Sequence, residues 1–558
     1  MLSLTDQISD SGAGLPPLYE MPTRPEASTP EHLEHQYAAP RARLLREIGH
    51  LFKENEENVK GFCIDPATIV RLSVPVEDQE KLFKPQNSIS YALIPLVQKV
   101  ITRWWTEGKI ELSAGNHGFN NPLLVAPKKD ELGNMTAIRV CIDPRMYNTY
   151  QDLRDKFVMP KINDLLARFG GKPIYGQMDL SEAYLQFMIH PDDRKFMAFM
   201  WDNKQYQFIG CPYGVTHIPS LFQRYMTNVF VDMPFVFIYI DNIMFASASW
   251  EEHQEHIRMI VTRLNSVNLR LKPSATQVGQ AQLAILGHII NRFGVGMDPK
   301  KVECILNWER PSSGPQLRSY MGLLCFLRGH IRHYAELTAP LEALKMEKGL
   351  ITWTKMAVQH FELTKLAVAR APWLVHADLN KPFVVILDAS QTGVGALLYQ
   401  PDDDAYTITP YNIVAVCSCK LNETQRRYAT YKKELFAMIY AFLKFHSYIS
   451  LRKFIVITDH QPLIHLLTQR TISNSLAQWQ DIVIAYTFDI IHRAGILNIH
   501  ADALSRMFVY AYGEDDTTWG VHTNIRFIDM SQKYLTPSDL LITDSINKAR
   551  VPSKSKLA

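Results

Sequence analysis

The chain has 558 residues, 47% of them hydrophobic and 21% charged, with a net charge of +3. It can build several cores but is too evenly balanced for a globally basic polyanion binder, so a nucleic-acid surface would have to be local. Seven scattered cysteines without a C-x-x-C argue against a disulfide framework or a structural zinc site and fit a reducing compartment. The opening MLSLTDQISDSG has no basic segment followed by an apolar one, and no apolar run reaches the roughly 18 residues a membrane helix needs. An intracellular protein, in a cytoplasmic particle or the nucleus, is therefore expected.

Taken in chain order, residues 1–60 read as a partly disordered arm: GLPPLYEMPTRPEASTPEH is linker-like, and RARLLREIGHLF (41–52) is a short amphipathic helix. Asp10 to Ala13 spell DSGA, the tetrapeptide of retroviral-type aspartic proteases, but ten residues cannot supply the strands such an enzyme needs. From 61 to about 290 short strands alternate with helices, including a helix in YALIPLVQKVITRWWTEGKI and strands in PLLVAPKK and AIRVCID. Residues 291–380 are mostly helical. The 381–508 stretch reads strand, strand, strand, helix, strand, helix, helix, strand, and 509–558 is a polar tail.

FVFIYIDNIMFA (235–246) sets Asp241-Asn242 between two apolar runs. Such a dipeptide suits a tight hairpin turn. It also suits a metal site at the mouth of a buried sheet. Asp179 in YGQMDLSEAYLQFMI likewise follows an apolar strand, and two carboxylates on neighbouring strand tips are the minimum for holding two Mg²⁺ ions roughly 3.5–4 Å apart.

The order of motifs extends the reading. PLLVAPKKDELG, IRVCIDPRMYN, MDLSEAYLQF, CPYGVTHIPSLFQRYM, YIDN, LGHII and LRSYMGLLCFLRGHIRHYAELTAPL are followed by LDASQTGVGALLYQ, ATYKKELFAMIYA, TDHQPL and NIHADALSR. Over roughly 61–508 this resembles the reverse transcriptase–ribonuclease H region of gypsy-type long-terminal-repeat retrotransposons. The resemblance implies an α+β multidomain protein: right-hand polymerase fingers and palm (61–290), thumb and connection (291–380), and a ribonuclease H-like α/β domain (381–508). It implies that Asp179 and Asp241 are palm carboxylates, with Tyr239 and Asn242 in the Y-x-D-D turn. Tyr184 would be the gate that rejects a ribose 2′-OH. Arg139 would grip the incoming triphosphate, as a planar, permanently charged fork can. Leu286, Gly287 and His288 would form the primer grip.

Three positions depart from the family pattern. Asn242 stands where the second aspartate of the turn is usual; Asn offers a carbonyl oxygen but no charge, and a unit charge pair at about 4 Å is worth roughly 4 kcal/mol at an effective dielectric near 20. His217-Ile218-Pro219 replaces Asn-Ala-Pro. Ser274-Ala275-Thr276 stands where a lysine is usual, with Lys272 close but out of register.

The resemblance also assigns a second carboxylate set: Asp388, Glu434, Asp459 and Asp502. Glu434 read alone would be a solvated helix charge. Four converging carboxylates repel one another unless cations neutralise them, so two Mg²⁺ (or Mn²⁺) per site are expected. His492, ten residues before Asp502, is either a proton shuttle or an ordinary strand histidine. His460 and His500 read as incidental. Arg318, Arg328 and Arg332 would line a phosphate channel or form a charged solvent face.

The expected activity is an RNA-directed DNA polymerase with ribonuclease action on RNA–DNA hybrids. Its partners would be an RNA template, a DNA primer, the hybrid and deoxynucleoside triphosphates, with a dimer left open. The rival readings are a nuclease on an inactive polymerase scaffold and a catalytically dead nucleic-acid-binding relic.

Overall fold

The computed structural model describes residues 30–493 apart from 114, 116, 117, 130–134, 153–156, 163–165, 167, 410, 461–478 and 480. The DSGA tetrapeptide, His500, Asp502 and the 509–558 tail lie outside the described residues. The chain forms two compact units, one ending at Leu283 and the next beginning at Ala284.

The first unit begins with α1 (Pro30–Asn58), a helix far longer than the 41–52 segment its sequence pattern marks. Pro40 lies inside it and misleads a sequence reading, because proline normally breaks a helix interior. Tertiary packing overrides that penalty. Leu44, Ile48 and Phe52 recur every four residues and are buried in the main core. Asn55 ties the helix down: its Nδ2 donates to the Leu269 carbonyl (3.1 Å), and its Oδ1 accepts from the Leu271 N–H (2.6 Å). The arm from residue 30 onward is therefore part of the folded unit.

Helix α2 (Ile94–Thr106) buries Val97, Ile101 and Trp104. It leads into β1 (Ile110–Leu112) and the antiparallel pair β2 (Leu123–Lys129) and β3 (Met135–Ile142). Next come β4 (Ile174–Asp179), β5 (Ala198–Trp201), β6 (Lys204–Phe208) and α3 (Ile218–Val229). The chain continues through β7 (Val236–Tyr239), β8 (Asn242–Ser247), α4 (Trp250–Ser266) and β9 (Gln277–Gln280). Strands β7-β8-β4-β9 form an antiparallel sheet, and β1-β6-β5 form a second. Gly176 permits the close β4–β8 packing, since a Cβ there would lie 2.2 Å from the Phe245 ring.

The second unit carries β10 (His288–Asn291), β11 (Gly294–Met297) and the helices α5 (Pro299–Leu306), α6 (Gly314–Phe326), α7 (Tyr334–Leu344) and α8 (Lys355–Ala369). The short strand β12 (Leu374–Val375) pairs with β11. There follow β13 (Val384–Ala389), β14 (Gly393–Tyr399), β15 (Ile413–Lys420), α9 (Thr430–Ile449), β16 (Lys453–Thr458) and β17 (Thr487–His492). The helix expected at PLIHLL lies outside the described residues, as do 474–478 and 480 of the one expected at NSLAQWQDIVIAY, whose residues 479 and 481–484 are helical.

The last five strands form one mixed sheet in the order β15-β14-β13-β16-β17, antiparallel for the first three and parallel from β13 onward. Side chains alternate across it. Val385, Leu398 and Val456 meet Leu435, Met438, Phe442 and Phe445 of α9, while Val384, Ile386 and Leu397 form a core on the other face. The regions read from sequence as connection and ribonuclease H fall in this one unit. The Ala335 N–H at the start of α7 donates to Ser418 Oγ of β15 at 3.3 Å. No helix among the described residues is long and apolar enough to cross a membrane.

Candidate active site

The β7–β8 hairpin carries the first site. Tyr239 pairs with Asn242 across a two-residue turn of Ile240 and Asp241. Ile240 has a φ of 55°, a left-handed conformation that is costly for a β-branched residue. Gln223 on α3 holds it there: the Ile240 N–H donates to Gln223 Oε1 (2.6 Å), and Gln223 Nε2 donates to the Ile238 carbonyl (2.9 Å). Gln223 is fully buried, so its amide has no competing water.

Strand β4 runs antiparallel to β8 with Asp179 directly opposite Asn242. This brings Asp179 and Asp241 to one end of the sheet. The Asp179 carboxyl is held above its ordinary range, first by burial and then by the neighbouring Asp241 charge. A hydrogen bond from Gln177 and the charge of Lys272 act in the opposite direction. Asp179 Oδ1 is buried without a hydrogen-bond partner. Two adjacent carboxylates, one with an orphaned oxygen, fit a cation and are costly without one.

Other side chains converge on the same place. Tyr184 packs against Tyr213 (ring centroids 5.1 Å apart) and Phe222 (5.3 Å). Its phenol is pushed well up by burial and by Asp241. The Tyr213 phenol is pushed up to about 12, again by burial first, then by Asp241 and Glu182, with Arg139 opposing. Arg139 is exposed on β3 opposite Ala126. The Lys272 N–H donates to the Asp179 carbonyl at 2.8 Å. This lysine is out of sequence register with the family position, yet its charge acts on Asp179. His217 takes a different part: its buried ring meets Gln151 Oε1 through Nδ1 at 2.8 Å, just before α3.

Sequence reasoning missed Gln177, Tyr213 and Gln223. Gln177 carried a usable signal, since it lies two residues before Asp179 and so shares its strand face. Tyr213 and Gln223 gave none, because their proximity to the hairpin is tertiary.

The expected primer grip lies in the second unit. Leu286 and Gly287 both have positive φ (49° and 79°). A Cβ on Gly287 would lie 2.3 Å from Lys301 Cε. The His288 side chain is buried, with its ring 5.0 Å from Phe326 and 5.5 Å from His330. It faces the protein interior, in an inward aromatic cluster behind the turn. Arg318 donates to the Lys345 carbonyl at 2.5 Å, and the charge of Arg328 acts on Cys419 and Tyr440.

The second candidate site lies at the β13/β16 edge. These strands are parallel, with Ile386 opposite Ile457. Asp388 and Asp459 each lie two residues further on, at the carboxyl ends of neighbouring strands, where open α/β sheets bind their ligands. Asp459 is exposed. Glu434 is 4% exposed on the helix that covers this sheet, so it is not the solvated charge that an isolated reading gives. His492 closes β17 as a strand residue, and its Nε2 donates to the Asp459 carbonyl at 3.1 Å. That bond places the Nε2 proton on backbone and leaves Nδ1 as the nitrogen able to exchange one.

Comparison with known proteins bears on both regions. Residues 126–290 match the family of reverse transcriptases (RNA-dependent DNA polymerases), and residues 378–486 match the RNase H-like domain found in reverse transcriptase. The chain therefore carries a reverse transcriptase domain and an RNase H-like domain.

Among its relatives is the retrovirus-related Pol polyprotein from transposon opus of Drosophila melanogaster, 28% identical over 83% of this chain and 46% of that protein. Another is the transposon Tf2-7 polyprotein of Schizosaccharomyces pombe, 29% identical over 69% of this chain and 29% of that protein. The chain thus spans less than half the length of these relatives. The fold is that of the foamy viral protease–reverse transcriptase solved with double-stranded DNA, with a TM-score of 0.69 and 20% identity over 87% of this chain and 85% of that one. The foamy viral enzyme solved with an RNA/DNA hybrid gives a TM-score of 0.66, at 20% identity over 90% of this chain and 63% of that one.

Proposed function

We propose that this chain is the polymerase and ribonuclease H portion of a gypsy-type retrotransposon polyprotein, copying RNA into DNA and cutting the RNA strand of the hybrid. The observation that carries the reading is the approach of Asp179 and Asp241 across the β4–β8 ladder, with Asp179 Oδ1 buried and unpartnered.

In this reading Asp179 and Asp241 hold divalent cations in the palm, and Asp388, Glu434, Asp459 and Asp502 hold them in the RNase H-like domain. Bound Mg²⁺ or Mn²⁺ supplies charge stabilisation for phosphoryl transfer and lowers the pKa of the attacking oxygen. The protein's own residues do the rest. The Tyr184 ring, fixed between Tyr213 and Phe222, forms a floor that admits a deoxyribose and meets a 2′-hydroxyl. Arg139, exposed on β3, reaches for the triphosphate as a bidentate donor. Lys272 sets a positive charge beside Asp179. Gln223 fixes the turn that presents Asp241, so that no reorganisation is needed when substrate arrives. Leu286 and Gly287 give the primer-side turn its shape. In the RNase H-like domain His492, anchored through Nε2, has Nδ1 available to take or give a proton.

The substrates are an RNA template with a DNA primer, the RNA–DNA hybrid and deoxynucleoside triphosphates. The test is primer extension on poly(rA)–oligo(dT) alongside cleavage of a labelled hybrid, in Mg²⁺ and in Mn²⁺. Extension abolished by Asp179→Asn and cleavage abolished by Asp459→Asn are expected. Extension that survives Asp179→Asn, or cleavage that survives Asp459→Asn, overturns the corresponding half.

A further inference from the structure

We infer that Gln177 is a positioning residue of the palm pocket, bound to the presence of Asn at position 242. The inference rests on the polymerase reading above. Gln177 and Asp179 share one face of β4, and the register sets Asp179 opposite Asn242 and Gln177 opposite Met244. Gln177 thus lies diagonally across from Asn242. Its Nε2 donates to Asn242 Oδ1 at 2.7 Å, on the strand face that Gln177 shares with Asp179. Asn242 Nδ2 in turn points at Asp241 Oδ1, 3.4 Å away.

Three side chains form one sequence, Gln177–Asn242–Asp241, with Asp179 beside it on the same face. The Gln177 NH₂ group engages the Asn242 carbonyl oxygen, and that leaves the Asn242 NH₂ group turned toward Asp241. An asparagine so held does not offer that oxygen to a cation; it acts as a donor that orients Asp241. The pair is a neutral link in the place of a third carboxylate. It orients Asp241 without adding a charge that would repel the two acids. Loss of Gln177 releases the Asn242 amide to rotate, and Asp241 loses a fixed donor. With Asp at 242 the logic reverses, because Gln177 would then compete with the cation for a carboxylate oxygen.

The test is Mn²⁺ binding to the full chain carrying Asp459→Asn, read by electron paramagnetic resonance of free Mn²⁺. Binding that Asp179→Asn removes is taken as the palm signal. Gln177→Leu is expected to weaken that signal about tenfold, a change of about 1.4 kcal/mol. Asn242→Asp is expected to strengthen it by a similar factor, and Gln177→Leu added to Asn242→Asp is expected to cause no loss. Gln177→Met, closer in length, repeats the test if Gln177→Leu does not fold by circular dichroism.

Unchanged Mn²⁺ affinity on loss of Gln177, or equal weakening in both backgrounds, overturns the inference. Primer extension on the same proteins separates the two ideas. A wild-type chain that extends no primer but shows the coupled Mn²⁺ pattern refutes the polymerase reading and keeps the role of Gln177. A chain that extends primers with a flat Mn²⁺ pattern does the reverse.

Discussion

The palm hairpin and the RNase H-like sheet solve one problem, gathering carboxylates at a strand tip, by opposite means. In the palm the acids come from antiparallel neighbours, so they meet only because a two-residue turn reverses the chain beside β4. That turn holds Ile240 in a left-handed conformation and depends on a single buried amide, Gln223. In the RNase H-like domain β13 and β16 are parallel, and their register alone carries Asp388 and Asp459 to the same edge. The covering helix and two apolar faces fix these strands. The first site is therefore sensitive to single polar side chains, and the second to core packing.

Breaking the comparison outright requires removing the acids. Asp179→Asn should cut primer extension roughly a thousandfold, about 4 kcal/mol of barrier, and leave hybrid cleavage within twofold; Asp459→Asn should do the converse. Loss of both activities from either change would mean that the sites are not independent.

A packing change tests the next level. Phe442 of α9 is fully buried, with rings at 5.1 Å (Phe454), 4.9 Å (Tyr486) and 5.3 Å (Phe488). Phe442→Ala should destabilise the second unit by about 3–5 kcal/mol in urea titration and depress cleavage far more than extension. The polar counterpart is Gln223→Leu, which strands the Ile240 N–H and the Ile238 carbonyl. It should cost about 1–3 kcal/mol and lower the extension rate with little change in KM for nucleotide. A variant that extends at the wild-type rate would show that the turn holds itself.

The smallest effect separates the units by pH. Burial lowers His253 in the first unit from an ordinary 6.5 to about 3, and His330 in the second to about 4. Both are neutral when folded and gain a proton more readily when unfolded. Their stabilisation is complete above about pH 6.5 and is lost as pH falls from there towards 4 and 3. Differential scanning calorimetry at pH 7 and pH 5 should show Tm falling by several degrees. His330→Phe should flatten the dependence of the second unit's transition, and His253→Asn that of the first.

The hydrogen bonds around His253 also define tautomers. Its Nε2 accepts from the Gly279 N–H at 3.0 Å, so its proton sits on Nδ1 and is donated to Ser247 Oγ at 2.9 Å. Ser247 then donates to His256 Nδ1 at 2.8 Å. Protonating His253 breaks the bond to Gly279, which gives the pH effect its structural cause.

Alternating and continuous apolar runs made most strands legible in the sequence, because side-chain burial in a sheet has a period of two or covers both faces. The motif order from MDLSEAYLQF to TDHQPL likewise singled out Asp179, Asp241, Asp388, Glu434 and Asp459 as candidates, since the strand or helix position of each can be read from its local pattern. The sequence could not show that residues 30–58 are one packed helix, for Pro40 is a breaker by every local rule and burial of Leu44, Ile48 and Phe52, with the anchoring of Asn55, offsets it. Nor could it show that Gln177 engages the Asn242 carbonyl, that Gln223 holds Ile240, or that His288 turns inward. Those facts depend on which side chains meet across strands and helices distant in sequence, and such meetings are decided by register and packing.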